Sequence, residues 1–351
     1  MYLWSPFTFY TFWIGLFVCV AFAGVYVFVL LLMVGWAILW WYHVPQLPEE
    51  RVTCVLGSIN PTSDLEEEQC SPENTNCNSD EHCDGRSLTK PILVAHRGGA
   101  IDAPENTIEA FKLAKKNGAV AVEFDLEFTG DCYPIVMHDE TLDRTTNGTG
   151  FVRDHTLEEI LDLNAAAKHK HRASYGKVRV PQLEEAVMVC LQLKLKMFID
   201  CKRSAAETVV VLSQLFTKYP NLYKEAIVCS FYPNIIYRVR KADPNILTAL
   251  THRHQIYSKC DMDGEERQKT FWRQIIARPI DIILEIGHYT FLWYLCGNSA
   301  FLMNRDTYSG LYHNFWKKRG VRVFVWTIND PYEKQYFLKT RQCSVITDSL
   351  L

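Results

Sequence analysis

The stretch AVEFDLEF, Ala121 to Phe128, places a carboxylate at every second position. In an extended strand alternate side chains share a face, so Glu123, Asp125 and Glu127 point one way and Val122, Phe124, Leu126 and Phe128 the other. Carboxylates crowded in this way repel one another unless a cation or a proton joins them, and hard oxygen ligands favour Mg²⁺ or Ca²⁺. A second run, KMFIDCK, repeats the device, with Asp200 and Lys202 on one face at its C-terminal end. If both runs open on one mouth, Asp200 completes a three-carboxylate metal site and Lys202 meets an anionic oxygen. Histidines close two more runs, His96 in ILVAH and His138 in PIVMH, and Arg97 follows the first, directly ahead of Gly98 and Gly99. Two imidazoles, a divalent metal and two fixed cations suit phosphodiester cleavage. The cations neutralise charge growing on the phosphoryl oxygens, one imidazole takes a proton from the nucleophile, and the other gives one to the leaving alkoxide. The two glycines are expected to turn the chain and keep its backbone clear of the substrate. Taken singly, an acidic strand face, an ion pair or a lone histidine is ordinary; the weight comes from their recurrence, with Trp326, at the ends of different strands.

The elements that must position these residues alternate from Pro91 onward. Eight short β-rich runs are predicted: Ile92–His96, Ala121–Phe128, Pro134–His138, Lys196–Lys202, Ala226–Phe231, Ile246–Leu250, Ala300–Asn304 and Val321–Asn329. Amphipathic helical patterns separate them, one capped by Thr107 and stopped at Gly118. Eight parallel strands in about 250 residues is the size and rhythm of a (β/α)₈ barrel, whose sites lie at the C-terminal strand ends. An open doubly wound sheet would accept the same alternation. Arg253–Ser299 is too long for a single connection and is expected to form a helical insertion that grazes the membrane surface; its Arg278, Asp281, Glu285 and His288 make a membrane span costly.

Composition divides the 351 residues into three regions. Residues 1–42 contain no Asp, Glu, Lys, Arg or His, and aromatic residues cluster at both ends, the pattern of a transmembrane anchor with interfacial belts. A cleaved signal peptide would have a basic start and a much shorter apolar core. Residues 43–90 form an acidic linker, ten acids against three bases for a net of −7, so residues 91–351 carry +4 of the chain's −3. That mild excess suits an anionic ligand. Cys54, Cys70, Cys77 and Cys83 in the polar linker are expected to form disulfides, which places the catalytic region on a lumenal or extracellular side of a plasma membrane or endomembrane. Free thiols or a weak metal site with His82 are the alternatives. Asn147-Gly-Thr149 is a glycosylation sequon and equally a tight-turn sequence. No Walker loop, GxSxG elbow, zinc-type cysteine pair or basic nucleic-acid stripe is present, so no nucleic-acid partner is expected.

VAHRGGAIDAPENT, VEFDLEFTGD, PIVMHDETLDRTTNGTG, MFIDCK, VFVWTIN and the closing ITDSL resemble, in order, the motifs of the glycerophosphodiester phosphodiesterase family, most closely its membrane-anchored animal branch. The resemblance implies a TIM-type barrel, a required divalent metal, most simply Mg²⁺, and hydrolysis of glycerophosphodiesters to an alcohol and glycerol 3-phosphate. Glycerophosphoinositol and glycerophospho-N-acylethanolamines are the implied substrates. His96 and His138 would be the acid/base pair, and Glu123, Asp125 and Asp200 the metal ligands. Arg97 and Lys202 would hold phosphate, Glu105 and Asn106 brace the first loop, and Trp326 wall the glycerol pocket. Asp200 stands where much of the family has Glu, one methylene longer, and ITDSLL leaves little chain for a helix over the last strand. A lysophospholipase D-type activity and a silent membrane scaffold are the alternative functions.

Overall fold

The computed structural model describes residues 6–59, 90–260, 266–267 and 269–351. Two compact units result, Met1–His43 and Val44–Leu351. The first is a single helix, α1 (Pro6–Tyr42), without a charged residue. Its segment Gly24–Tyr42, mean hydropathy 2.1, is the one stretch among the described residues long and apolar enough to cross a bilayer. Cys70, Cys77 and Cys83 lie outside the described residues, as does His82, and with them the disulfide expectation.

The second unit is a closed barrel of eight parallel strands: β1 (Leu93–Ala95), β2 (Ala121–Phe128), β4 (Lys196–Cys201), β5 (Ala226–Ser230), β6 (Thr248–His252), β7 (Ala300–Asn304), β8 (Arg322–Trp326) and β9 (Ser344–Thr347). Closure is made by β1, which pairs in parallel with both β2 and β9. Two features differ from the sequence expectation. PIVMH supplies β3 (Pro134–Val136), which pairs antiparallel with the end of β2 and is no barrel strand. The five residues between β2 and β3 allow only a hairpin, because a parallel return needs a crossover of a dozen or more residues. The eighth barrel strand is β9, which completes the ring although the chain ends four residues later.

Alternation along the strands gives each residue its layer. Outward side chains such as Phe124, Phe301 and Val325 pack under the surrounding helices. Inward ones at the N-terminal end, among them Val94, Ala121, Phe198, Ile227 and Phe324, fill the barrel's floor, with the Phe198 and Phe324 rings 4.9 Å apart. A short helix from the acidic linker, α2 (Glu49–Leu56), closes that floor by burying Val52, Val55 and Leu56. Inward-facing bases anchor it: the Arg322 guanidinium pairs with Glu49 and donates to Thr53 Oγ1 at 2.9 Å, and Lys196 Nζ donates to the Cys54 carbonyl at 2.9 Å. The insertion is helical as expected, with a helix over Phe271–Gly287, a π-helical turn over His288–Leu292 and a last turn at Trp293–Cys296.

Candidate active site

The same inward face that is apolar at the floor becomes charged at the mouth. On β2 it runs Ala121, Glu123, Asp125, and on β4 Phe198, Asp200, with Lys202 just beyond the strand. Register pairs Asp125 directly with Asp200. One oxygen each from Glu123, Asp125 and Asp200 therefore lies within 4.8 Å of the others, and all three residues are buried. Two full charges at that separation repel by roughly 3 kcal/mol at an effective dielectric of about 20. Burial, then the neighbouring Asp125 and Asp200, pushes Glu123 well above the usual carboxylate range. Burial also raises Asp200, to about 7, with Asp125 adding to the effect and Lys202 opposing it. Burial would raise Asp125 too, but Lys202, His138 and Arg97 outweigh it and hold this carboxyl well below its ordinary value. Asp200 Oδ1 is buried without a hydrogen-bond partner. Crowded carboxylates under pressure to protonate, one with an orphaned oxygen, fit a hard divalent cation. The shorter side chain of Asp200 reaches the cluster. Glu127 does not join it: at the strand's end it accepts from the Phe128 N–H at 2.9 Å and meets Arg203 Nε at 3.2 Å.

The loop after β1 is stapled to this cluster. Arg97 takes a left-handed conformation, φ 53°, which aims its N–H at Glu123 Oε2, 2.8 Å away. Asn106, also left-handed, donates from Nδ2 to Asp125 Oδ2 at 2.8 Å and from its backbone to the Arg97 carbonyl at 2.8 Å. Gly98 has φ +81°, and a Cβ there would lie 2.8 Å from Ala110 Cβ and 2.9 Å from the Phe111 ring. Its lack of a side chain thus lets the loop pack on the helix Ile108–Lys116, capped by Thr107, and Gly98 and Gly99, both at positive φ, turn the chain.

Both histidines are oriented by a carboxylate on Nδ1. His96 Nδ1 is 2.5 Å from Asp348 Oδ1, and its Nε2 faces the cluster, 3.8 Å from Glu123 Oε2. Asp348 is itself fixed by Asn329, whose Nδ2 donates to Oδ2 at 2.8 Å. His138 Nδ1 is 2.5 Å from Asp139 Oδ1. Arg144 grips Asp139 through Nε at 2.5 Å and Glu105 through two bonds of 2.7 and 2.8 Å, and Glu105 accepts from Arg97 Nη1 at 3.0 Å. One chain of charges so links the two histidine loops. Burial, then the nearby Lys202, lowers the His138 pKa to about 4 against the opposing pull of Asp125 and Asp139. Lys202 Nζ sits 2.6 Å from Asp125 Oδ1.

These side chains, with Trp326, line one cavity of about 430 Å³ at the C-terminal ends of the strands. Trp326 is held by a bond from Nε1 to the Leu302 carbonyl at 3.1 Å and meets Phe231 edge to face at 5.6 Å. The structure thus gathers His96, Arg97, Glu123, Asp125, His138, Asp200, Lys202 and Trp326 around one space. Sequence reasoning missed Asp139, Arg144 and Asp348. Each lay inside a quoted motif, and the signal available was an acid beside His138 and another just past the last strand.

A fold and site of this kind define a phosphodiester hydrolase, and the chain belongs to the glycerophosphoryl diester phosphodiesterase family, whose model matches residues 96–351. Glycerophosphodiester phosphodiesterase 1 of Homo sapiens is 45% identical over 273 residues, covering 77% of this chain and 82% of that one. A glycerophosphodiester phosphodiesterase of Caldanaerobacter subterraneus is 29% identical over 263 residues, covering 74% and 94%. In fold the chain is similar to an Oleispira antarctica phosphodiesterase solved with its product sn-glycerol-3-phosphate: TM-score 0.57, 22% identity, 74% of this chain and 93% of that chain covered. The chain is accordingly an enzyme of the glycerophosphodiester phosphodiesterase class.

Proposed function

We propose that the chain is a membrane-anchored, divalent-metal-dependent enzyme that hydrolyses glycerophosphodiesters, such as glycerophosphoinositol or a glycerophospho-N-acylethanolamine, to an alcohol and glycerol 3-phosphate. The observation that carries this reading is the convergence of three buried carboxylates within 4.8 Å, beside two carboxylate-held histidines. Glu123, Asp125 and Asp200 would hold the metal; Mg²⁺ matches three hard oxygen donors best, with Ca²⁺ the alternative. When bound, the ion supplies charge neutralisation for the phosphoryl oxygens. Lys202 and Arg97 bind the phosphate's free oxygens from the same mouth, and Glu105 and Asn106 keep Arg97 and its loop in place. His138, with a pKa of about 4, is unprotonated at neutral pH and takes a proton from the attacking water, whose oxygen bonds to phosphorus as the P–O bond to the alcohol breaks. His96 presents Nε2 to the cluster and protonates the leaving alkoxide, while Asp348 on Nδ1 stabilises its imidazolium. Trp326 and Phe231 wall the glycerol.

The helix α1 would hold the enzyme in a plasma membrane or endomembrane, with the barrel on the lumenal or extracellular side, where the exposed Asn147 is open to glycosylation. A second reading, lysophospholipase D-type cleavage, draws on the cavity's apolar wall of Ile101, Leu302 and Ile346. The test is a panel of glycerophosphoinositol, a glycerophospho-N-acylethanolamine and a lysophospholipid, assayed with Mg²⁺ and with EDTA. Metal-dependent release of glycerol 3-phosphate from the first two is expected. Turnover of the lysophospholipid alone moves the assignment to the second reading, and turnover of none leaves a silent scaffold.

A further inference from the structure

The insertion helix Phe271–Gly287 is amphipathic in the reverse sense for a helix on a folded barrel. Its inner face is mixed: Ala277, Asp281 and Gly287 are buried and Ile280 and Leu284 half-buried, and the Asp281 carboxylate accepts the N–H groups of Tyr257 at 2.7 Å and Ser258 at 3.2 Å, in the loop that leaves β6. Its outer face is apolar. Phe271, Trp272, Ile275, Ile276, Ile282, Ile283 and Ile286 are 46% to 70% exposed. With 3.6 residues per turn these seven fall in one stripe roughly 140° wide, with the exposed Pro279 inside it and no polar residue interrupting it. Arg278 borders the stripe on one side, with Glu285 beyond it, and Arg273 lies on the other side past Gly287 and Ile280. A contiguous apolar stripe of this kind, rimmed by polar residues, marks a protein or membrane interaction site.

The helix also has a definite place on the barrel. The ring of His288, next after the helix, stands 5.5 Å from that of His252, the last residue of β6, so the helix meets the barrel at the rim of the catalytic mouth. From there its 17 residues run about 25 Å at 1.5 Å per residue.

We propose that this face docks the catalytic unit on a lipid bilayer, lying in the plane between headgroups and acyl chains and not crossing it. An interfacial helix has this design, aliphatic and aromatic side chains in the acyl boundary and basic residues beside the phosphates. Asp281 and its two backbone donors keep the inner face on the protein, where a crossing helix would carry that carboxylate into the acyl region. The proposal rests on the reading of α1 as a bilayer anchor, which keeps the second unit beside lipid. Docking at the rim would present the mouth to phosphodiesters that reside in or leave the membrane.

The full-length chain, reconstituted in phosphatidylcholine vesicles, tests this with the photo-crosslinker benzoylphenylalanine placed singly at Ile276, Ile283, Val29 of α1, or Val210, an exposed residue of the helix Ala205–Lys218. Thermal unfolding checks that each variant is folded. Lipid adducts at Ile276 and Ile283 are expected at roughly ten times the yield at Val210. Adducts at Val29 without adducts at Ile276 and Ile283 overturn the docking and leave the anchor standing; no adducts at any of the three overturn both. Crosslinks from Ile276 to a second copy of the chain also overturn it, in favour of a protein contact.

Discussion

The two ends of the barrel are built from the same eight strands and filled in opposite ways. At the floor, the inward residues Val94, Ala121, Phe198 and Phe324 pack together and against α2, and the inward bases Lys196 and Arg322 spend their hydrogen bonds fastening that helix. At the mouth, the inward residues Glu123, Asp125 and Asp200 crowd like charges into a buried space, and the loops place histidines and cations around them. The floor pairs its inward charges with opposite ones, whereas the mouth gathers like charges and leaves a buried carboxylate oxygen unpaired. A fold tolerates such a concentration where a ligand relieves it, so the contrast locates the chemistry without reference to any motif.

Substitutions separate the two ends most sharply at the carboxylates. Glu123→Ala is expected to lower kcat/KM by at least about 10³-fold, the scale of losing one oriented electrostatic contact. In EDTA its thermal midpoint should change little, since relief of the carboxylate crowding offsets loss of the bond from the Arg97 N–H; unaltered kcat/KM would mean that Glu123 belongs to the core and not to the chemistry. Asp348→Asn leaves His96 in place but deprives its imidazolium of a carboxylate, and should cost about 10²-fold, read as a fall in kcat with little change in KM. At the floor the signs reverse. Arg322→Ala, which leaves α2 without its main tether, should lower unfolding stability by about 2 kcal/mol, less than for a fully buried pair because Glu49 is half-exposed. Activity at low temperature should not change, and a loss of turnover there would break the comparison.

A further expected effect is a slope with pH. The carboxyl of Asp200 titrates near 7 in the folded, metal-free protein and near 3.8 when unfolded. Between those values the folded state holds a proton that the unfolded state has lost, so this group's contribution to stability falls as pH rises from about 4 to about 7. With EDTA present, the thermal midpoint of Asp200→Asn should gain on that of the unsubstituted protein as pH rises from 5 to 7. A constant difference over that range would remove the charge pressure from the account.

The mouth was more legible in the sequence than the ring that carries it. Period-two alternation in AVEFDLEF and KMFIDCK fixed which side chains share a face, and a barrel has only one interior for them to share. Strand membership was harder. PIVMH has the composition of a barrel strand, but the five residues between it and β2 permit only a hairpin; SVIT is short, and the chain's end hid its role in closing the ring. The helix α2 escaped notice because Val52, Val55 and Leu56 sit within a segment of net charge −7. Glu127 shares a face with Glu123 and Asp125 yet is drawn off by Arg203, a long-range partner that alternation does not reveal. The bracing of His138 by Asp139 and Arg144 depends in the same way on how a loop folds back.

The central claim is that Glu123, Asp125 and Asp200 together hold one divalent ion required for hydrolysis. Titration of the metal-free, full-length protein with Mn²⁺, followed by the loss of the free-ion paramagnetic signal, tests it most directly. One ion bound per chain, its affinity abolished together with glycerophosphodiester hydrolysis in Glu123→Ala, is the predicted result. Unaltered ion binding in that variant, or hydrolysis that survives it, would contradict the account.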